Sequence, residues 1–220
     1  MLPAVKTTAR DRRQFGPRYV IVGIPRMGLV ALVMLTSAWS SSWDSIRAAA
    51  RDIQAIQANF TQEKHLQILS RPLQSRGRLV FAAPDRLRWE YQAPLPSVLL
   101  MNAGQVQRFV KTGPTWTEDA SAALPAMSFV MQEISRWMNG RFDANPDFEA
   151  RLEPRGRILL TPRKEALAMI IQQIVLQLAA TPGVIESVTV YEDDHNFTRL
   201  HFTEVAVNPS IDPALFKHRS

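Results

Sequence analysis

The stretch SRGRLVFAAPDRLRWEY, Ser75 to Tyr91, sets the reading of the whole chain. Leu79 and Phe81 fall on one side before the corner Ala82-Ala83-Pro84, and Leu87, Trp89 and Tyr91 fall on one side after it. Arg76, Arg78, Arg86, Arg88 and Glu90 occupy most of the alternate positions. A period of two with one apolar face predicts half-buried strands. Pro84 lacks an amide hydrogen, so it belongs in the turn between them. The stretch therefore predicts an antiparallel hairpin whose apolar face must be covered.

The same period runs outward on both sides. Strands are expected at about 58–68, 75–82, 86–92, 96–102 and 105–111, with Met101–Gln105 (MNAGQ) as a tight turn and Gly77 marking a bend or close approach. Upstream, Ile46, Ala49, Ala50, Ile53 and Ile56 repeat at helical spacing behind Ser/Asp capping candidates, which predicts a helix from about Trp43 to Ile56. Downstream, LPAMSFVMQEISRWMNGR (124–141) predicts a helix with Pro125 in its first turn and a stop at Asn139-Gly140. Two short strands follow around Pro154–Gly156, then a short helix within 163–171. A strand with Ile174, Leu176 and Leu178 on one face precedes a closing hairpin turned at Asp193–Asn196. Roughly ten antiparallel strands and two or three helices predict a mainly β fold with helices. The expected form is a strongly curved, unclosed antiparallel β-barrel, a half-barrel with helices over its apolar side.

Charge and composition narrow the function. The net charge is +6, but residues 1–40 hold Lys6, Arg10, Arg12, Arg13, Arg18 and Arg26 against Asp11 alone, leaving the remainder at +1. The expected domain thus lacks a polybasic footprint, and no nucleic-acid partner is expected. The apolar run Met27–Ala38 is shorter than the roughly 20 residues of a comfortable span. With small residues after it, residues 1–40 read as a signal peptide or N-terminal anchor, and 41–220 as one exported domain. Asp11–Phe15 (DRRQF) partly resembles a twin-arginine signal.

No catalytic kit is visible. The chain has no cysteine, which removes thiolate nucleophiles, disulfides and cysteine-ligated metals. There is no G-x-S-x-G elbow, no H-E-x-x-H, no phosphate loop and no dinucleotide glycine motif. His195 follows Asp193-Asp194, which reads as an acidic hairpin turn in solvent. His201 sits on a strand, and Glu90 and Glu118 have no reason in the sequence to meet. No metal and no cofactor are expected. On the 124–141 helix, Met127, Val130, Met131, Ile134, Trp137 and Met138 form one apolar stripe. Such a stripe is either plain core or, given methionine's flexibility, a movable lid over an apolar groove.

At this point the residues resemble the LolA family of periplasmic lipoprotein carriers. The likeness rests on Phe60-Thr61-Gln62, Ser75-x-Gly77, Pro84, Arg88-Trp89, Pro94 and the turn ending at Gly104, then ILLTPRKE and GVIESVTVYEDDHNFTRLHFTEVAVNPSIDPALF, in order from about Trp43 to Phe216. The resemblance implies an unclosed barrel with a helical lid and an apolar cavity for acyl chains. It further implies a non-enzymatic, monomeric chaperone that takes acylated lipoprotein from an inner-membrane ABC transporter and delivers it across the periplasm to an outer-membrane acceptor. Two features depart from the family: Ala83 stands where an arginine that helps tether the lid is common, and the chain stops at LFKHRS. These departures leave open a specialised carrier of a non-protein lipid or lipid-linked intermediate. The rivals from other classes are a lipid-acting envelope enzyme and a scaffold held at the membrane by its leader. The expected lipid-binding residues on the strands are Phe60, Leu79, Phe81, Leu87, Trp89, Tyr91, Val98 and Leu100. Those on the helix are Met127, Val130, Met131, Ile134, Trp137 and Met138.

Overall fold

The computed structural model describes residues 42–121 and 124–217. The leader expected over residues 1–40 lies outside the described residues. Helix α1 (Trp43–Arg51) is opened by a reciprocal capping box between Ser42 and Ser45. It stops at Arg51 rather than Ile56, because the chain from Ala55 pairs into the sheet, with Ile56 opposite both Phe81 and Val207. Long-range pairing of a β-branched residue overrides the helical spacing there.

Eleven strands follow: β1 (Ala55–His65), β2 (Leu73–Ala82), β3 (Arg86–Ala93), β4 (Ser97–Asn102), β5 (Gln105–Thr112), β6 (Thr115–Glu118), β7 (Phe148–Glu153), β8 (Arg157–Pro162), β9 (Gln173–Leu178), β10 (Ile185–Tyr191) and β11 (Phe197–Val207). Strand β6 is the one missing from the sequence reading, since four residues carry too little alternation to stand out. Helices α2 (Leu124–Met138) and α3 (Glu165–Ala168) complete the described set with two 3-10 turns, Pro154–Gly156 and Pro213–Phe216.

All pairings are antiparallel, in the order β6-β5-β4-β3-β2-β1-β11-β10-β9-β8-β7. Two meanders therefore meet at the β1–β11 pair, and the edges β6 and β7 stay unpaired with each other. The sheet is an unclosed barrel. Helix α2 is the connection between those two edges in chain order, which carries it across the opening.

Register decides which residues look inward. Leu79 pairs with Trp89 and Ala58, and Leu87 pairs with Phe81 and Met101. These belong to the main core, with Phe60, Leu99, Phe202 and the buried side of α2. The opposite face of the sheet is partly covered too. Val80 and Ala82 pack under Phe216, while Val98, Leu100 and Phe109 form their own cluster. Arg88 lies on that outer face, nearly buried, bonded to Glu90 and to the Leu215 carbonyl at 3.1 Å.

Gly77 shows the close approach expected of it. A Cβ there would stand 1.9 Å from the Glu90 carbonyl oxygen and 2.7 Å from the Phe60 ring, beside an irregularity in the β2–β3 register.

Candidate ligand cavity

A cavity of about 350 Å³ lies between α2 and the inner sheet face. Its apolar wall comes from Trp89, Leu99, Val190 and Leu200 on the sheet, and from Ala126, Met127, Val130, Met131 and Ile134 on α2. The β1–β2, β3–β4, β5–β6, β8–β9 and β10–β11 connections all emerge at one end of the antiparallel sheet. Gln62, Tyr91, Val190 and Thr198 lie at that end of their strands, so the cavity is on the same side. The loops there carry exposed aliphatic side chains: Ile68, Leu69 and Leu73 around the β1–β2 connection, Leu95, and Met169 with Ile170.

A second, smaller void of about 80 Å³ lies under α2 among Phe129, Glu133, Trp137, Met138, Ile174 and Phe202. Val130, Ile134, Val190 and Leu200 line both spaces. Val130 is half exposed despite its central place in the stripe.

The expected site residues divide into four groups. Trp89, Tyr91, Met127, Val130, Met131 and Ile134 come together around the larger cavity. Phe60, Leu79, Phe81 and Leu87 are packed solid in the core behind it. Phe60 lies 4.5 Å from Trp89 and 5.3 Å from Tyr91 between ring centroids, which makes these residues a backing for the wall. Trp137 and Met138 line the smaller void instead. Val98 and Leu100 require a correction. They pair with Glu90 and Arg88 and belong to the outer-face cluster, while Leu99 and Met101 take the inner positions. The run Val98–Met101 is buried throughout, so its alternation carries no phase.

Three polar residues were missed. Arg108 pairs across the ladder with Leu99, which puts it on the inner face with Val106 and Val110. The apolar neighbours at positions two away were the signal for it. Its Nη1 bonds the Asp119 carboxylate, and its buried Nε–H has no partner among the described residues. Gln62 accepts a 2.8 Å bond from the Tyr91 hydroxyl. Burial pushes the Tyr91 phenol above its ordinary value, against the opposing influence of Trp89 and the charge of Arg108, so it stays neutral.

Glu133 is the third. It is 2% exposed on α2 and bonded to Arg136 and, at 2.7 Å, to the Asn145 amide. Burial raises its pKa above 4.5, outweighing the favourable Arg136 and Asn145 contacts. A carboxyl with a raised folded pKa costs stability only where it ionises. The penalty is absent below the unfolded value and grows as pH rises through the folded one. Glu133→Gln is therefore expected to raise the urea midpoint at pH 7.5, with the gain shrinking towards pH 4. An equal difference at both pH values would show that ionisation is not its source.

The tether expected to be lost at Ala83 is replaced. The Pro84 carbonyl accepts from the Asn139 amide at 2.8 Å and from the Ser135 hydroxyl at 3.4 Å, so the C-terminal end of α2 is tied to the β2–β3 corner. Asn139 also donates to the Ser135 carbonyl, and Gly140 closes the helix at φ 71°. Asn139→Ala is expected to cost about 1–2 kcal/mol and to speed amide exchange over the last turns of α2. Unchanged exchange would mean that core packing alone holds this end.

His195 lies exposed in the Asp193–Asn196 turn, whose amides donate to the Asp193 carboxylate, and His201 is exposed on β11. No helix among the described residues is long and apolar enough to cross a membrane.

The chain is similar to several known proteins. The outer-membrane lipoprotein carrier protein of Proteus mirabilis (strain HI4320) is 24% identical over 193 residues, covering 86% of this chain and 89% of its own. Two solved structures are similar at low identity. A DUF1329 family protein from Desulfovibrio piger has 10% identity and a TM-score of 0.46, over 80% of this chain and 95% of that one. A LolA superfamily protein from Nitrosomonas europaea has 9% identity and a TM-score of 0.39, over 80% and 98%. Residues 51–219 match the profile of the family described as outer membrane lipoprotein carrier protein LolA, and the chain belongs to that family.

Proposed function

We propose that this chain is a non-enzymatic carrier that holds lipoprotein acyl chains in the cavity beneath α2. On this reading it moves them through the periplasm, from an inner-membrane ABC transporter to an outer-membrane acceptor. The observation that carries the reading is the largely apolar space between the inner wall and the methionine-bearing side of α2. An acyl chain of 14 methylenes costs roughly 11 kcal/mol to expose to water, so a shuttle must cover it. Exchange between bilayer and cavity is nearly neutral, because both surroundings are apolar. The cavity must therefore hold the chain about as well as the bilayer does, or release fails.

The arrangement suits that requirement. Met127 and Met131 supply flexible, polarizable surface. Val130 and Ile134 stand between the larger and smaller spaces, so a modest displacement of α2 would join them. The exposed aliphatic loops at the same end offer a short path over which a chain leaves without crossing open water.

Ala83 favours a second reading, in which the cargo is another amphiphile. The family's common tether is replaced here by Asn139 and Ser135, and a changed lid fits a changed cargo. Native mass spectrometry of the protein isolated from its own periplasm separates the two. Co-purified triacylated lipoprotein supports general lipoprotein traffic, and a non-protein lipid supports the specialised carrier. Protein recovered there empty of any amphiphile overturns both.

A further inference from the structure

The cavity is not apolar throughout. Towards the end nearest the aliphatic loops, inner positions on four strands carry Gln62, Tyr91, Arg108 and Thr198 in place of aliphatic residues, with Arg108 one step further in, level with Leu99 and Trp89. An acyl chain alone has no use for such groups, and their arrangement is specific. The Tyr91 hydroxyl is committed to the Gln62 carbonyl oxygen, which leaves the Gln62 amide nitrogen as the free donor of that pair. The Arg108 guanidinium is held by Asp119 through Nη1, while its buried Nε–H has no acceptor among the described residues. Buried donors without acceptors are rare because each carries a desolvation cost.

We propose that Gln62, Tyr91 and Arg108 form a polar collar that receives the ester carbonyl of an O-acyl chain whose tail fills the apolar space. Charge decides the class of acceptor. Asp119 already neutralises Arg108, and Gln62, Tyr91 and Thr198 are uncharged, so the collar has donors but no net positive charge. A free carboxylate or phosphate would bring a second negative charge to a cation that Asp119 already pairs. A neutral ester oxygen meets only donors. The collar thus selects esterified chains over free fatty acids. This inference rests on the acyl-chain reading of the cavity and adds the head chemistry to it.

The test uses the full chain and displacement of the neutral dye N-phenyl-1-naphthylamine. Competitors are 1-palmitoylglycerol, its ether analogue 1-O-hexadecylglycerol, and palmitate. The ester and ether differ only at the carbonyl, so the wild-type protein alone reports on it. The expected result is ester binding about tenfold tighter than ether, with palmitate weaker than the ester. Arg108→Leu and Gln62→Ala, each checked for a cooperative melt, are expected to bring the ester-to-ether ratio within about twofold. Dye binding with equal ester and ether affinities in the wild type overturns the collar and leaves the acyl cavity standing. Palmitate binding tighter than the ester overturns the charge argument. Failure of the dye and all three competitors to bind overturns the cavity and the collar together.

Discussion

Replacing Gly77 by alanine is expected to lower stability by about 3 kcal/mol or more, read as a fall in the urea midpoint. The added Cβ would lie 1.9 Å from the Glu90 carbonyl oxygen and 2.7–2.8 Å from two atoms of the Phe60 ring. Neither neighbour yields easily. Glu90 is within the β2–β3 pairing, and Phe60 is 1% exposed, with its ring tilted against Trp89 and edge-on to Tyr91. Relief requires parting the strands behind the cavity wall, which also loosens the wall. Gly113→Ala is the matched control: nothing lies within 4 Å of its added Cβ, and its φ of 60° makes the cost conformational, about 1 kcal/mol. Equal effects at the two sites would show that the close approach at Gly77 relaxes without cost.

The second large effect is on binding. Val130→Asp is expected to weaken binding of a palmitoylated lipopeptide about a hundredfold or more, while stability changes by about 1 kcal/mol at most. Val130 is 50% exposed, so a carboxylate there remains hydrated in the folded protein. It also lines both the larger and the smaller space, so an entering chain must strip that hydration. The variant separates function from folding in a way that the buried Trp89, 4% exposed, does not. Wild-type affinity in a folded Val130→Asp protein would move the acyl site away from α2.

The parts of this protein that the sequence reveals well are those with one covered face. Leu87, Trp89 and Tyr91 show their inward side because Arg86, Arg88 and Glu90 alternate with them, and Leu79 and Phe81 follow as their partners in the same hairpin. Met127, Met131 and Ile134 show theirs through helical spacing. Where both faces are covered the signal vanishes. Val98, Leu99, Leu100 and Met101 are all buried, so only pairing with β3 assigns Leu99 and Met101 to the inside. The end of α1 was obscured for a related reason, since Ile53 and Ile56 fit a helix until β1 claims the chain from Ala55. In the candidate site the aromatic and methionine wall was legible. The polar collar was not, because an arginine in QVQRFVKT is ordinarily a solvent-facing strand residue.

By itself, then, the sequence determined the hairpins, their corners, the amphipathic helix between the two halves and the apolar character of one sheet face. Each is a matter of local period and turn chemistry, written within a few neighbouring residues. Only the tertiary structure decided that Val98 and Leu100 face outward, that Arg108 and Glu133 are drawn inside, and that Asn139 ties α2 to Pro84. Those outcomes depend on the register between distant strands and on which element covers which face. A shift of one residue reverses every side chain on a strand, and local sequence carries no record of that choice once both faces are buried.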